Sequence, residues 1–166
     1  LLAAAQEVEK LVLLAQGSDV DVDAILDAGG NSARFNAFDL VGAAMDGDGA
    51  RTVRVLRALR EGGLEVPPLL GSITWTLRNL CAVAEAASGG QSVDSVLRAP
   101  QFGGLRRRGA SIRAVIERHS RRQLYGYLRA ATSIDRTSKG REAGDPWAGM
   151  ERLCLSIAGN SPLAHV

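Results

Sequence analysis

Apolar positions in this chain recur at intervals of three and four, and each recurrence is bracketed by residues that start or stop helices. Val8, Leu11, Val12 and Ala15 predict a helix over 3–15, followed by a Gly17-Ser18-Asp19 loop and a short helix over 22–28 that Gly29-Gly30-Asn31 stops. Asn36 is placed to cap a helix running to about Met45, with Phe38, Val41 and Met45 inward. Asp39, three residues on, makes a capping box with a short acid, and Phe35 stands where a hydrophobic staple would meet Leu40. After an acidic, Gly-rich break over 46–49, Asp48 caps a second helix that ends at Gly62-Gly63; its expected inward residues are Val53, Leu56 and Leu59, with Val55 flanking. Arg51, Arg54, Arg57 and Arg60 form a stripe on another face. Pro67-Pro68 opens a long helix to about Ala87, lined by Leu70, Ile73, Leu77, Leu80 and Ala84.

The second half continues the pattern. Ser92 starts a short helix to about Leu97, and Ser88-Gly89-Gly90 separates it from the long one. Between Pro100 and Gly109, Gly103-Gly104 argues for a break while Leu105 to Arg108 reads as a helical turn. Ile112, Val115, Ile116 and His119 share a helical face, with His119 expected to be half-buried. Ser120 caps a further helix with Leu124, Leu128 and Ala131 inside and Arg122, Arg129 and Arg136 outside. A polar loop over 137–144, expected to be mobile, leads to an Asp145-Pro146 start and a last helix from Trp147 to about Ala158. That helix carries Met150, Leu153, Cys154 and Ile157 inward and stops at Gly159-Asn160. No segment of useful length alternates with period two, so the fold class is all-α.

Composition sharpens this. Of 166 residues, 46% are hydrophobic but only 4% aromatic, so the core is aliphatic, a mixture that suits packed helices better than a β-sandwich. No apolar run approaches the roughly 20 residues a membrane-spanning helix needs. Cys81 and Cys154 lie far apart on apolar helical patterns, which reads as two buried thiols in a reducing, cytoplasmic setting. Leu1 stands inside a helical pattern already under way, which leads to the expectation of a stretch taken from a longer protein.

Charge is divided. Residues 98–141 hold twelve basic and two acidic side chains, a local net charge of +10; the remainder holds eight basic and sixteen acidic, or −8. Such a split suits a chain with one half facing an anionic partner, although an Arg-rich solvated surface has the same composition. Recognisable catalytic patterns do not emerge. No GxxxxGK[ST] phosphate loop occurs, and the GxG at Gly47 and Gly49 follows no strand. Asp19, Asp21 and Asp23 begin like a calcium loop, but Ala24 and Gly30 stand where glycine and glutamate are needed. His119 and His165 are too few for a metal set, and no nucleophile elbow surrounds a Ser or Cys. Trp75 and Trp147 read as core or interface anchors.

The run from Asn31 to Leu80 resembles the DNA polymerase III delta subunit family of bacterial sliding-clamp loaders. The resemblance is carried by Phe35-Asn36, Phe38-Asp39-Leu40-Val41, Arg57-Ala58-Leu59, Gly62, Pro67, Leu69-Leu70 and Arg78. The stretch from Trp147 to Val166, with Pro162-Leu163-Ala164, is similar to that family's closing helix and tail. The resemblance implies that residues 1–31 are the last two helices of an AAA+-type lid domain. It likewise implies that residues 33–166 are a C-terminal helical collar of about five to seven helices. It implies a non-catalytic subunit of the polymerase III holoenzyme, a nucleotidyltransferase assembly, with no ATPase site and no cofactor or metal in this part. Its partners would be the delta-prime and gamma/tau subunits through the collar, primed DNA in the full complex, and the sliding clamp only through an N-terminal domain outside this sequence. Phe35, Phe38, Trp75, Arg78 and Trp147 become candidates for the subunit interface. Arg106, Arg107, Arg108, Arg122 and Arg129 are the candidates to face DNA, on the charge split alone. The alternative is a stand-alone DNA-binding helical protein using the Arg-rich segment 98–141.

Overall fold

The computed structural model describes residues 35–160, and among these every regular element is helical. The two helices expected before Gly29 and the tail around Pro162 lie outside the described residues. Seven α-helices and one 3₁₀ helix follow in order. They are α1 (Ala37–Asp46), α2 (Gly49–Glu61), α3 (Val66–Ser88), α4 (Val93–Leu97), the 3₁₀ helix (Pro100–Arg108), α5 (Gly109–Arg118), α6 (Arg121–Ser138) and α7 (Pro146–Ile157).

The expected caps form. The Asn36 side chain accepts from the Phe38 and Asp39 amides at 2.8 and 3.0 Å, and the Asp39 carboxylate accepts from the Asn36 amide at 2.8 Å, a reciprocal capping box. Ser120 and Gln123 make the same box at the start of α6. Asp48 and Asp145 cap α2 and α7. Each cap satisfies amides that the first helical turn leaves unpaired, and each contributes about 1 kcal/mol.

α3 is the spine. Its 23 residues span roughly 35 Å. Leu69, Leu70, Ile73, Leu77, Leu80, Cys81, Val83 and Ala84 are buried along it, and α6, α4, α1, α5 and α7 all pack against it. The α6 contact is antiparallel: Arg121 at the start of α6 meets Glu85 near the end of α3, while Asp135 lies beside Pro67 and Leu70. α7 closes the bundle against α6 and α2, and α1 bridges α2, α5 and α7. Fully buried aliphatics such as Leu40, Leu59, Leu77, Leu124 and Met150 form one continuous core. Each stabilises by roughly 1.5–3 kcal/mol through removal from water.

Three local expectations are corrected, and the alternatives left open over 100–109 are decided. On α2 the inward set is Thr52, Val55, Leu56 and Leu59, with Val53 only partly covered. Thr52 can be buried because its hydroxyl donates to the Asp48 carbonyl at 2.7 Å, so the polar group is satisfied within the helix. Gly103-Gly104 does not break the chain. Three residues per turn place Phe102 and Leu105 on one side, and both are buried. His119 is not a half-covered helix residue but the extended C-cap of α5, 6% exposed. The expected loop over 137–144 starts later, because α6 continues to Ser138. Arg136 and Ser133 then hold Glu142 at 2.8 and 2.7 Å.

The C-terminal ends of α1, α5 and α7 meet at Arg118. Its guanidinium donates to the Ile157 carbonyl at 3.0 Å and, at 3.4 Å, to the Met45 carbonyl. A cation here compensates the negative ends of the helix dipoles and takes up C-terminal carbonyls. Gly47 and Gly159, which end α1 and α7 with φ of 81° and 80°, leave the room. A Cβ on Gly47 would lie 2.7 Å from the Arg118 Nη2, and one on Gly159 would lie 2.6 Å from its Cδ. Gly63 has the same positive φ but open space around it. G63A is therefore expected to cost about 1 kcal/mol from backbone strain alone. G159A and G47A are expected to cost more, about 2–3 kcal/mol, because Arg118 must also move. Urea denaturation of the three variants checks the order; equal losses in all three would show that Arg118 is not held by those glycines.

Candidate interaction surfaces

The five residues expected at a subunit interface fall in three places. Trp75 and Arg78 stand one turn apart on the outer side of α3. Trp75 is 53% exposed, the largest exposed apolar side chain among the described residues, and so is not a core anchor. Together with Pro67, Leu70, Gly71 and Thr74 these two line a groove of about 350 Å³, whose other wall is Ala131, Thr132 and Asp135 of α6. Tyr125, a residue the sequence pattern did not single out, is 45% exposed further along α6. The second place is the start of α1. There Phe35 packs partly against the core, and Phe38 lies with the Arg108 guanidinium 5.9 Å above its ring. The third is Trp147 at the start of α7, half-buried, with Arg60 at 5.6 Å over its ring. Both stacked pairs are cation–π contacts, which contribute about 0.5–1 kcal/mol at exposed sites.

The DNA-facing candidates are also divided. Arg106 donates to the Leu97 and Arg98 carbonyls at 3.2 and 2.6 Å, closing the end of α4. Arg108 is turned toward Phe38. Arg107 and Arg106 line a groove of about 320 Å³ with Asp94, Leu97, Arg98, Gly109, Ala110 and Arg113. Arg122 and Arg129 are exposed on α6, which packs on α3 and α7, whereas the 3₁₀ helix packs on α4 and α5. The Arg-rich segment is therefore two separate basic areas. Arg98 and Arg113, which sequence reasoning left out, belong to the first. Their joint position needs α4, the 3₁₀ helix and α5 to fold back on one another, and spacing along the chain carries no trace of that.

Acids near the α3–α6 surface are already engaged. Glu85 pairs with Arg121 at 2.9 Å, Asp135 with Lys139 at 2.7 Å and Glu142 with Arg136 at 2.8 Å. Arg78, Arg122 and Arg129 pair with no described acid. Exposed pairs of this kind add little stability, but they leave the surface with unmatched positive charge around two aromatic rings.

Among the described residues no three His, Cys, Asp or Glu side chains are grouped to hold a metal ion, and no helix is long and apolar enough to cross a membrane. Cys81 and Cys154 are both buried free thiols; burial raises the Cys81 pKa and pushes Cys154 up to about 12. The one buried histidine among the described residues is fully engaged. His119 Nε2 lies 2.8 Å from the Ile157 carbonyl and Nδ1 lies 3.2 Å from the Tyr127 hydroxyl, which is also 3.2 Å from the Ser156 carbonyl. In the neutral ring Nε2–H donates to Ile157, and the single Tyr127 hydroxyl proton is shared between Nδ1 and the Ser156 carbonyl. The Ser156 hydroxyl donates to the Arg152 carbonyl within its own helix. The cluster thus knits α5, α6 and α7 together.

No family model matches the chain, and no curated protein matches it.

Burial holds the His119 pKa below 6.5, with the Arg118 charge adding to the effect and the Ile157 hydrogen bond opposing it. The unfolded chain therefore takes up this proton before the folded one does. The stability tied to neutral His119 is complete above about pH 6.5 and is lost as pH falls below it, by at most about 1.4 kcal/mol per pH unit. Chemical denaturation between pH 7.5 and 5 is expected to show this decline, with a flatter profile in H119Q. Parallel profiles for the two proteins would remove His119 as its source.

Proposed function

We propose that this chain is a non-catalytic assembly module of a DNA-replication clamp loader, equivalent to the C-terminal part of the delta subunit. In this reading the described helices form a collar that docks onto the neighbouring delta-prime and gamma/tau subunits. The observation that carries the proposal is the outer face of α3 and α6. There a rigid 23-residue helix presents Trp75 at 53% exposure beside Arg78 and an open groove. Trp and Arg are the side chains most enriched where partners bind tightly, because a large rigid ring loses little entropy and a guanidinium pairs in a fixed geometry. Folding leaves this pair uncovered although the same helix buries nine other residues. That arrangement suits a surface that a second protein completes. The Asn31–Leu80 resemblance supplies the identity of that protein class, and the helical fold agrees with a collar.

Three of the four aromatic candidates give the proposal a ranking. Phe38 and Trp147 already stack against Arg108 and Arg60 of the chain itself, so they contribute at the rim; Trp75 has no such partner among the ring contacts and is the expected centre. Mixing the full chain with delta-prime and gamma/tau subunits and separating the mixture by size exclusion tests this directly. Co-elution is expected for the parent chain. W75A together with R78A is expected to weaken association at least tenfold, about 1.4 kcal/mol or more, while leaving the helical circular dichroism and the denaturation midpoint within error. Absence of co-elution by the parent chain would end the clamp-loader reading. Co-elution undiminished in the double variant would move the interface away from α3.

A further inference from the structure

The groove between α4, the 3₁₀ helix and α5 is independent of the α3–α6 face and of the assembly reading. Its wall holds four guanidinium-bearing residues, Arg98, Arg106, Arg107 and Arg113, and a single carboxylate, Asp94. Asp94 is bound by Arg113. Arg106 is fixed by the two carbonyls at the end of α4. Arg98 pairs with no described acid. Four guanidinium side chains and one carboxylate, itself paired with Arg113, therefore line about 320 Å³ of open space. Crowding like charges around a groove is unfavourable, and an anion entering it relieves the repulsion while exchanging water for charge-assisted hydrogen bonds. The planar, five-donor guanidinium fits the tetrahedral oxygens of a phosphate better than it fits a chloride ion.

We propose that this groove is a phosphate-binding site, recognising a phosphate group either as a free dianion or as part of a nucleic-acid backbone. Arg106, held by the carbonyls at the end of α4, forms its fixed edge; Arg98 closes on the bound oxygens from the C-cap of α4, with Arg107 beside it on the 3₁₀ helix. Arg113 can turn from Asp94 toward the phosphate without leaving the groove. Arg122 and Arg129, although equally basic, lie on α6 and take no part.

The full chain, ¹⁵N-labelled, is titrated with inorganic phosphate at constant ionic strength while the arginine Nε–Hε resonances are followed. Saturable shifts confined to Arg98, Arg106, Arg107 and Arg113 are expected, and chloride at the same ionic strength should not reproduce them. R98Q combined with R107Q should weaken phosphate binding about tenfold or more, whereas R122Q combined with R129Q should leave it unchanged. A second arm replaces phosphate with a short single-stranded DNA. If backbone phosphates are the ligand, the same four resonances saturate at far lower concentration and the affinity falls steeply with added salt. If they do so only with inorganic phosphate, the site takes the free anion. Shifts that are unsaturable, that chloride matches, or that persist equally in R98Q/R107Q overturn the site.

Discussion

Arg118 is where the architecture is tied. A helical bundle must dispose of the carbonyls at each helix end, and burying three C-termini together would leave an uncompensated concentration of negative dipole. Here α1, α5 and α7 converge, and one guanidinium supplied by the last residue of α5 reaches the carbonyls of the other two. Next to it His119 shares the Ile157 carbonyl and draws in Tyr127 from α6. Four helices are thereby fixed by two consecutive side chains. The glycines that end α1 and α7 have no Cβ and sit at positive φ, so the helices can approach the guanidinium closely. A larger residue at either place opposes the approach twice, through its backbone and through its bulk.

That knot lets the outer surfaces be specialised without endangering the core. α3 buries one side along its whole length and is held by α6 on another, so its remaining side can carry an exposed tryptophan. An exposed aromatic on a rigid helix makes an ordered contact surface rather than a floppy one, because little entropy is lost when a partner covers it. The basic residues are distributed in the same spirit. Those around α4 and the 3₁₀ helix line one groove, those on α6 lie exposed along that helix, and Arg108 lies over the Phe38 ring. A single count of charge over residues 98–141 merges three environments whose physical consequences differ.

The candidate surfaces were legible only in part. Trp75 and Arg78 are two of the five residues expected at an interface, and spacing of three on a helix puts them on one side. Their exposure was not readable, since Trp75 sits in a pattern as apolar as the core residues around it. Tyr125 gave no signal, being one of two tyrosines two positions apart; Tyr127 is buried and Tyr125 is not. The phosphate-binding proposal draws on Arg98, at the C-cap of α4, and Arg113, fifteen positions on within α5, which no local pattern associates.

What the chain determined by itself is the set of elements. Caps and breaks act over three or four residues through hydrogen bonds between neighbours. Asn36 with Asp39, Ser120 with Gln123, Asp145 with Pro146, and the glycine stops therefore mark α1, α6 and α7 directly. The aliphatic repeats of α3 and α7 likewise gave the buried side of each, because burial follows the helical period. Tertiary structure alone decided the fate of groups whose partners are distant. Thr52 counts as core only once its hydroxyl is satisfied, Phe102 and Leu105 hold a 3₁₀ helix through a glycine pair only when a core receives them, and Arg118 becomes a cap only when α1 and α7 end beside it. Local hydrogen bonds depend on sequence neighbours, whereas burial and long-range charge depend on which elements meet. The first is written along the chain; the second exists only after it has folded.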